Sequence, residues 1–160
     1  LTAPLPAELA GHPFLRGLAA ADLARLAGAA SAVSVPAGHR LFEEGGKAAT
    51  FWLLTAGHVA LDLRVPGQAS LIVETLGGGD MIGLSWLSPP CEWQFGAEAL
   101  EPADAFEMDG RVVIGLCDRY PELGYQITRR VAAVAARRLH ATRIRMLDLY
   151  GAPGQHAGTP

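Results

Sequence analysis

The stretch best suited to chemistry runs Gly77-Gly78-Gly79-Asp80-Met81-Ile82-Gly83-Leu84-Ser85-Trp86-Leu87 and continues through Trp93 to Ala99. It has the layout of a phosphate-binding cassette, in which glycines let backbone N–H groups approach an anion closely. Between Gly77 and Ala99 there is no lysine or arginine to pair with such an anion. Ser85 and Gln94 offer only neutral hydrogen bonds, while Trp86 and Trp93 offer aromatic surface. Two uses of the tryptophans stay open: they fill the site as core, or they line a pocket for a less anionic, aromatic ligand.

No other constellation points to catalysis. The histidines His12, His39, His58, His140 and His156 contain no His-x-His pair of the kind a cupin metal site wants. His58 reads as a satisfied strand residue, and no metal site is expected. Cys91 and Cys117 have no C-x-x-C spacing and make no disulfide framework. They fit a reducing cytoplasm, with Cys117 buried on an apolar helix. Ser85 follows Gly83-Leu84 but lacks the second glycine of a nucleophile elbow, because Leu87 stands there. Glu43-Glu44 falls at a turn and reads as solvated surface. The chain is therefore expected to be no enzyme.

The elements that must position the cassette come in two kinds. Half of the 160 residues are apolar, enough for a core. Residues 1–11 read as an N-terminal arm, loose over its first seven positions. A helical pattern begins near Ala19, with Leu18, Leu23, Leu26 and Ala30 at helical spacing. From Ser31 the period is two, and short strands follow between glycine and proline turns. Val59, Leu61 and Leu63 alternate up to a hairpin tip at Pro66-Gly67, Leu71 to Leu76 returns, and Ala103 to Met108 forms the last strand. This spacing predicts a mainly β, α+β fold: an antiparallel β-roll or jelly-roll barrel flanked by an N-terminal helix and a long C-terminal helix. The long helix is expected over 121–150, with Pro121 in the first turn, and 151–160 reads as a disordered tail.

That helix carries two apolar stripes. Ile127, Val131 and Val134 suit packing on the roll. Ala132, Ala135, Leu139, Thr142, Met146 and Leu149 step by three and four, an a/d seam suited to a homodimer; burial of one wide face within the monomer is the alternative. Six of the thirteen basic residues, Arg129, Arg130, Arg137, Arg138, Arg143 and Arg145, flank the seam. They read as a solvated helix flank in preference to a nucleic-acid patch, in keeping with a net charge of −3. No apolar run approaches the roughly 20 residues of a membrane span, and nothing reads as a signal peptide.

The ordered set of motifs over 12–150 resembles the cyclic nucleotide-binding domain, above all the effector half of the catabolite activator (Crp/Fnr) family. The set comprises His12-Pro13-Phe14-Leu15-Arg16-Gly17-Leu18; the turn glycines Gly38, Gly45 and Gly57; Leu76-Gly77-x-Gly79-Asp80-x-Ile82-Gly83; and Ala136-Arg137-Arg138-Leu139-His140-Ala141-Thr142. The resemblance implies that backbone N–H groups at Gly83 face a cyclic phosphate. It also implies a Glu after that glycine for the ribose, an Arg about ten residues on for the phosphate, and a Thr on the long helix for the purine edge. Here Leu84 stands at the Glu position, Trp93 at the Arg position, with Glu92 and Gln94 beside it, and Thr142 at the purine position. Two lost charge-assisted hydrogen bonds, at roughly 1.5–3 kcal/mol each, weaken binding by about 10²–10⁴-fold. The implied site is thus a degenerate cassette of Gly83, Leu84, Ser85, Trp86, Trp93, Gln94 and Thr142.

The expected function is a stand-alone cytoplasmic regulatory or sensor domain. It would take a small-molecule effector, with a cyclic nucleotide the ligand its cassette suits poorly, or work through a partner protein. A ligand-free interaction or structural subunit is the alternative. Only ten residues follow Tyr150, too few for a helix-turn-helix, so direct DNA reading is not expected.

Overall fold

The computed structural model describes residues 2–151, with side chains placed as far as Leu147. Eight short strands form two four-stranded antiparallel sheets of a jelly roll. One sheet has the order β1 (Ala30–Val35), β8 (Ala103–Asp109), β3 (Thr50–Ala56), β6 (Met81–Ile82). The other has the order β2 (Arg40–Phe42), β7 (Gly96–Ala99), β4 (Val59–Leu63), β5 (Leu71–Leu76). The sheets do not close into a barrel, so β5 and β6 present open edges. The turn glycines Gly38, Gly45 and Gly57 have φ of 78°, 79° and 81°, the left-handed conformation that the turns demand.

The segment expected to be a loose arm is more ordered than its prolines suggest. Pro6 opens a short helix, α1 (Pro6–Ala10), whose Leu9 is fully buried, and Thr2 bridges to Ala32 on the outer edge of β1. The following helix α2 (Ala20–Ala27) buries Leu23 and Leu26 and pairs Asp22 with Arg25 at 2.6 Å. Between them, buried His12 locks the leader to the roll. Its Nε2 lies 3.1 Å from the Leu54 carbonyl, and its Nδ1 accepts the Phe14 N–H at 3.1 Å. A carbonyl can only accept and an amide N–H can only donate, so the ring is the neutral Nε2–H tautomer. Burial lowers its pKa accordingly.

Asp109 ends β8 and caps α3 (Gly110–Arg119), accepting from the N–H groups of Arg111 and Val112. The long helix α4 (Pro121–Gly151) follows. Its stripe of Leu123, Ile127, Val131 and Val134 is buried against the rest of the core. Cys117 is half-buried, short of the full burial expected, and burial with nearby Asp118 raises its pKa. The tail at 152–160 and the Leu149 side chain lie outside the described residues.

The arginines of α4 are not simply a solvated flank. Arg138 donates to the Met81 carbonyl on β6 and lies 3.7 Å from Glu74 on β5. Arg145 donates to the Val73 carbonyl at 2.6 Å, and Arg130 to the Phe14 carbonyl at 2.8 Å. The reason lies in the sheets. β5 and β6 are edge strands, and Val73 is left without a cross-strand partner by a register shift, because Leu61 pairs with Glu74 while Asp62 pairs with Ile72. Backbone carbonyls freed in this way need donors, and a long guanidinium can reach them from a neighbouring helix. The helix is thus tied to the edge strand of each sheet, to β6 through Arg138 and to β5 through Arg138 and Arg145. No helix among the described residues is long and apolar enough to cross a membrane.

Candidate ligand-binding site

The cassette begins where β6 ends. Gly83 has φ 88°, so the chain turns there in a conformation that disfavours other residues. Only one turn of 3₁₀ helix follows, Ser85–Leu87, preceded by Leu84 at φ −115° and ψ −17°. The backbone scaffold is present in shortened form.

Trp93 packs directly over that glycine. A Cβ placed on Gly83 would lie 2.8 Å from the Trp93 ring. The indole stacks on Phe42 with centroids 3.9 Å apart and planes 15° apart, and its ring centre lies 6.2 Å from that of Trp52. Phe42 also stacks on Trp52 at 5.6 Å. The backbone fixes the residue in place: the Trp93 N–H donates to the Gly46 carbonyl at 2.8 Å, and its carbonyl accepts from Gly45 at 2.8 Å. Trp93 is 5% exposed. The position that the family resemblance assigns to an arginine is therefore part of an aromatic cluster joining β2, β3 and the segment before β7. Trp52 is anchored further by its Nε1–H, which donates to Glu107 at 3.0 Å.

Trp86 goes elsewhere. It stacks on Phe51 at 4.4 Å and presses on Gly110, where a Cβ would meet its ring at 3.1 Å. It wedges the 3₁₀ turn under the start of α3 and is buried there. Its Nε1 has no hydrogen-bond partner among the described residues. Leu84 and Ser85 are half-buried beside it. Gln94 is exposed, with its amide donating to the Glu92 carbonyl at 3.2 Å. Thr142 is exposed on α4 and donates to the Arg138 carbonyl one turn back at 2.9 Å. The structure thus brings Gly83 and Trp93 into contact, with Leu84 and Ser85 alongside, and turns Trp86, Gln94 and Thr142 to other neighbours.

Two features escaped the sequence reading. One is the tie made by Arg138, whose pKa burial lowers while Glu74 and Asp80 help to hold its charge. The signal available was the Arg137-Arg138 pair one turn beyond the buried stripe. The other is the network of Arg40 with buried Asp62, Glu43 and Glu98, which Arg64 extends through Glu43. Gly96 makes room for it, since a Cβ there would overlap both Arg40 and Asp62. His58 is not the strand residue expected; it sits at the turn after Gly57 and pairs with Glu101 at 2.5 Å in solvent.

A cleft of about 310 Å³ opens beside the aromatic cluster, lined by Phe42, Trp52 and Trp93 with Glu43, Lys47 and Thr50 among its polar groups. Its apolar wall is the face of the aromatic cluster itself.

The chain shares this architecture with solved structures. A candidate cyclic nucleotide-binding protein from Geobacter metallireducens superposes with a TM-score of 0.76 at 26% identity, over 86% of this chain and 99% of that one. The N-terminal domain of a transcriptional regulator from Streptomyces coelicolor gives 0.65 at 23% identity, covering 93% and 99%. The catabolite activator protein of Thermus thermophilus gives 0.67 at 24% identity, covering 87% and 63%. Comparison with curated proteins returns no match. The sequence model of the cyclic nucleotide-binding domain matches residues 32–120, from β1 to the end of α3. With more than half of its length matched and a jelly roll carrying the cassette turn at Gly83, the chain belongs to the cyclic nucleotide-binding domain family.

Proposed function

We propose that this chain is a regulatory sensor domain whose cassette does not receive cAMP or cGMP, and that it signals through the position of its long helix on the roll. The observation that carries the reading is the contact of the Trp93 indole with Gly83. A cyclic phosphate held by the backbone at Gly83 needs that space, the cation that would neutralise it is replaced by Trp93, and the carboxylate that would hold the ribose is replaced by Leu84. An anion desolvated without a partner is costly. The cleft beside Phe42 and Trp93 supports an aromatic or weakly charged effector in its place. Titration with cAMP and cGMP, followed by tryptophan fluorescence, is expected to leave the emission of Trp93 unchanged. Saturable quenching at micromolar nucleotide overturns the reading.

A second reading rests on the same stack: an interior filled by Phe42, Trp52 and Trp93 suits a ligand-free subunit that works through protein contacts. In both readings α4 supplies a homodimer seam. Ala132, Ala135, Leu139, Thr142 and Met146 are exposed along one line of the helix while Ile127, Val131 and Val134 are buried along another. Leu139 alone is 55% exposed, an unfavourable arrangement for an apolar stripe left in water. Leu139→Glu is expected to halve the mass seen in sedimentation; an unchanged mass removes the seam.

A further inference from the structure

A second cleft, of about 320 Å³, lies outside the roll, between the leader at Phe14, the turn at Gly79–Asp80 and the face of α4 that carries Arg130, Ala133 and Arg137. Its chemistry differs from that of the aromatic cluster. Arg130 and Arg137 are seven residues apart, two turns along one helix face. Ala133 between them adds only a methyl group, which keeps the floor low. Arg130 spends Nη1 on the Phe14 carbonyl at 2.8 Å, and its buried Nε has no partner among the described residues. Arg137 is exposed, with no hydrogen bond or ion pair among the described residues.

The local charge is positive. Of the lining residues Arg130 and Arg137 stand against Asp80, two cations against one anion, and the neighbouring Arg138 and Glu74 pair with each other. Glu74 faces Arg138 at 3.7 Å, and the Asp80 carboxylate accepts the Gly77 N–H at 2.8 Å within its own turn. Two guanidinium groups on one wall suit an oxyanion; Arg137, with its donors unspent, can take it bidentately, whereas Arg130 has Nη1 on the Phe14 carbonyl and Nε buried. The volume is at the small end of ligand sites, and Phe14 supplies an apolar wall.

We propose that the cleft between the leader and α4 binds a small organic oxyanion, a phosphate monoester or a carboxylate, gripped by Arg130 and Arg137. Such a ligand would join the leader to the long helix and fix the helix on the roll, giving the domain an input site separate from its cassette. The inference stands whether or not the cassette binds a nucleotide.

The test uses the full chain with inorganic phosphate and with malonate, each compared with chloride at equal ionic strength. Backbone amide NMR shifts at Gly79 and Ala133 are the readout. Saturable shifts are expected with at least one of the two anions, and whichever anion gives them assigns the class. Arg137→Gln should weaken binding by about tenfold or more, the loss of a charge-assisted hydrogen bond. Arg130→Gln should do the same if it folds, and Arg143→Gln, which lies off the cleft, should leave affinity unchanged. Since Arg137 makes no bond that the fold needs, it decides the matter alone if Arg130→Gln unfolds. Non-saturating shifts equal to those in chloride, or an affinity unchanged in Arg137→Gln, overturn the proposal.

Discussion

Trp93 and Arg138 both pack on the short strand that leads into the cassette, Trp93 at Gly83 and Arg138 at the Met81 carbonyl, and they do so with different chemistry. Trp93 stands where the family resemblance places a cation, and it fills the space above Gly83 with stacked carbon. Arg138 stands on the long helix and brings a cation to the sheet seam, where a β6 carbonyl and Glu74 take up its charge. At the first position the fold is held by dispersion and burial; at the second, by directed polar bonds to strand edges. The contrast teaches that a cassette's glycines fix a turn, while the side chains packed on that turn set the chemistry available beside it.

The largest effect should come from the aromatic side. Trp93→Ala removes a buried ring between Phe42 and Gly83, and truncations of this kind cost about 3–5 kcal/mol. Urea unfolding should show it; a loss below about 1 kcal/mol would mean that the stack is decorative. The polar side should matter less. Arg138→Ala leaves the Met81 carbonyl without its donor and Glu74 without its ion-pair partner, at roughly 1.5–3 kcal/mol. If it proves as costly as Trp93→Ala, the contrast between the two sites fails.

The smallest effect is a dependence on pH. Burial holds the folded-state pKa of His12 below its ordinary value. The unfolded chain therefore takes up a proton that the folded chain refuses. Stability contributed by the neutral ring is complete above about pH 6.5 and is lost as pH falls from there towards the folded pKa. The slope is at most about 1.4 kcal/mol per pH unit. Urea midpoints at pH 7.5 and 5.5 should differ more for the native chain than for His12→Gln. Equal differences would remove His12 as the lock that seats the leader.

Much of the fold was legible because it is written in periodicities. Val59, Leu61 and Leu63 alternate up to Pro66-Gly67 and state a strand, though β4 is buried on both faces with Ala60 and Asp62 inside as well; Ile127, Val131 and Val134 recur at helical spacing and state both a helix and its buried side. Pro6 pointed to a loose arm because proline is a poor guide there: it also suits the first turn of a helix, and Leu9 pulls that helix into the core. The cassette was legible as a turn at Gly83. Trp86 and Trp93 were indistinguishable in sequence, since both are large, aromatic and close to the same glycines. Only the three-dimensional path sends Trp86 to Phe51 and α3 while Trp93 returns over Gly83. The arginine ties were hidden for a related reason: an edge carbonyl such as that of Val73 exists only once the register shift in β5 has left it unpaired.

The central claim is that the Trp93 indole occupies the space where the family's cassette would seat a cyclic phosphate. Calorimetric titration of the native chain with cAMP tests it most directly. The account predicts no saturable heat up to about 1 mM nucleotide, the reach of an interaction worth roughly 4 kcal/mol. A one-to-one isotherm at micromolar concentration would contradict it.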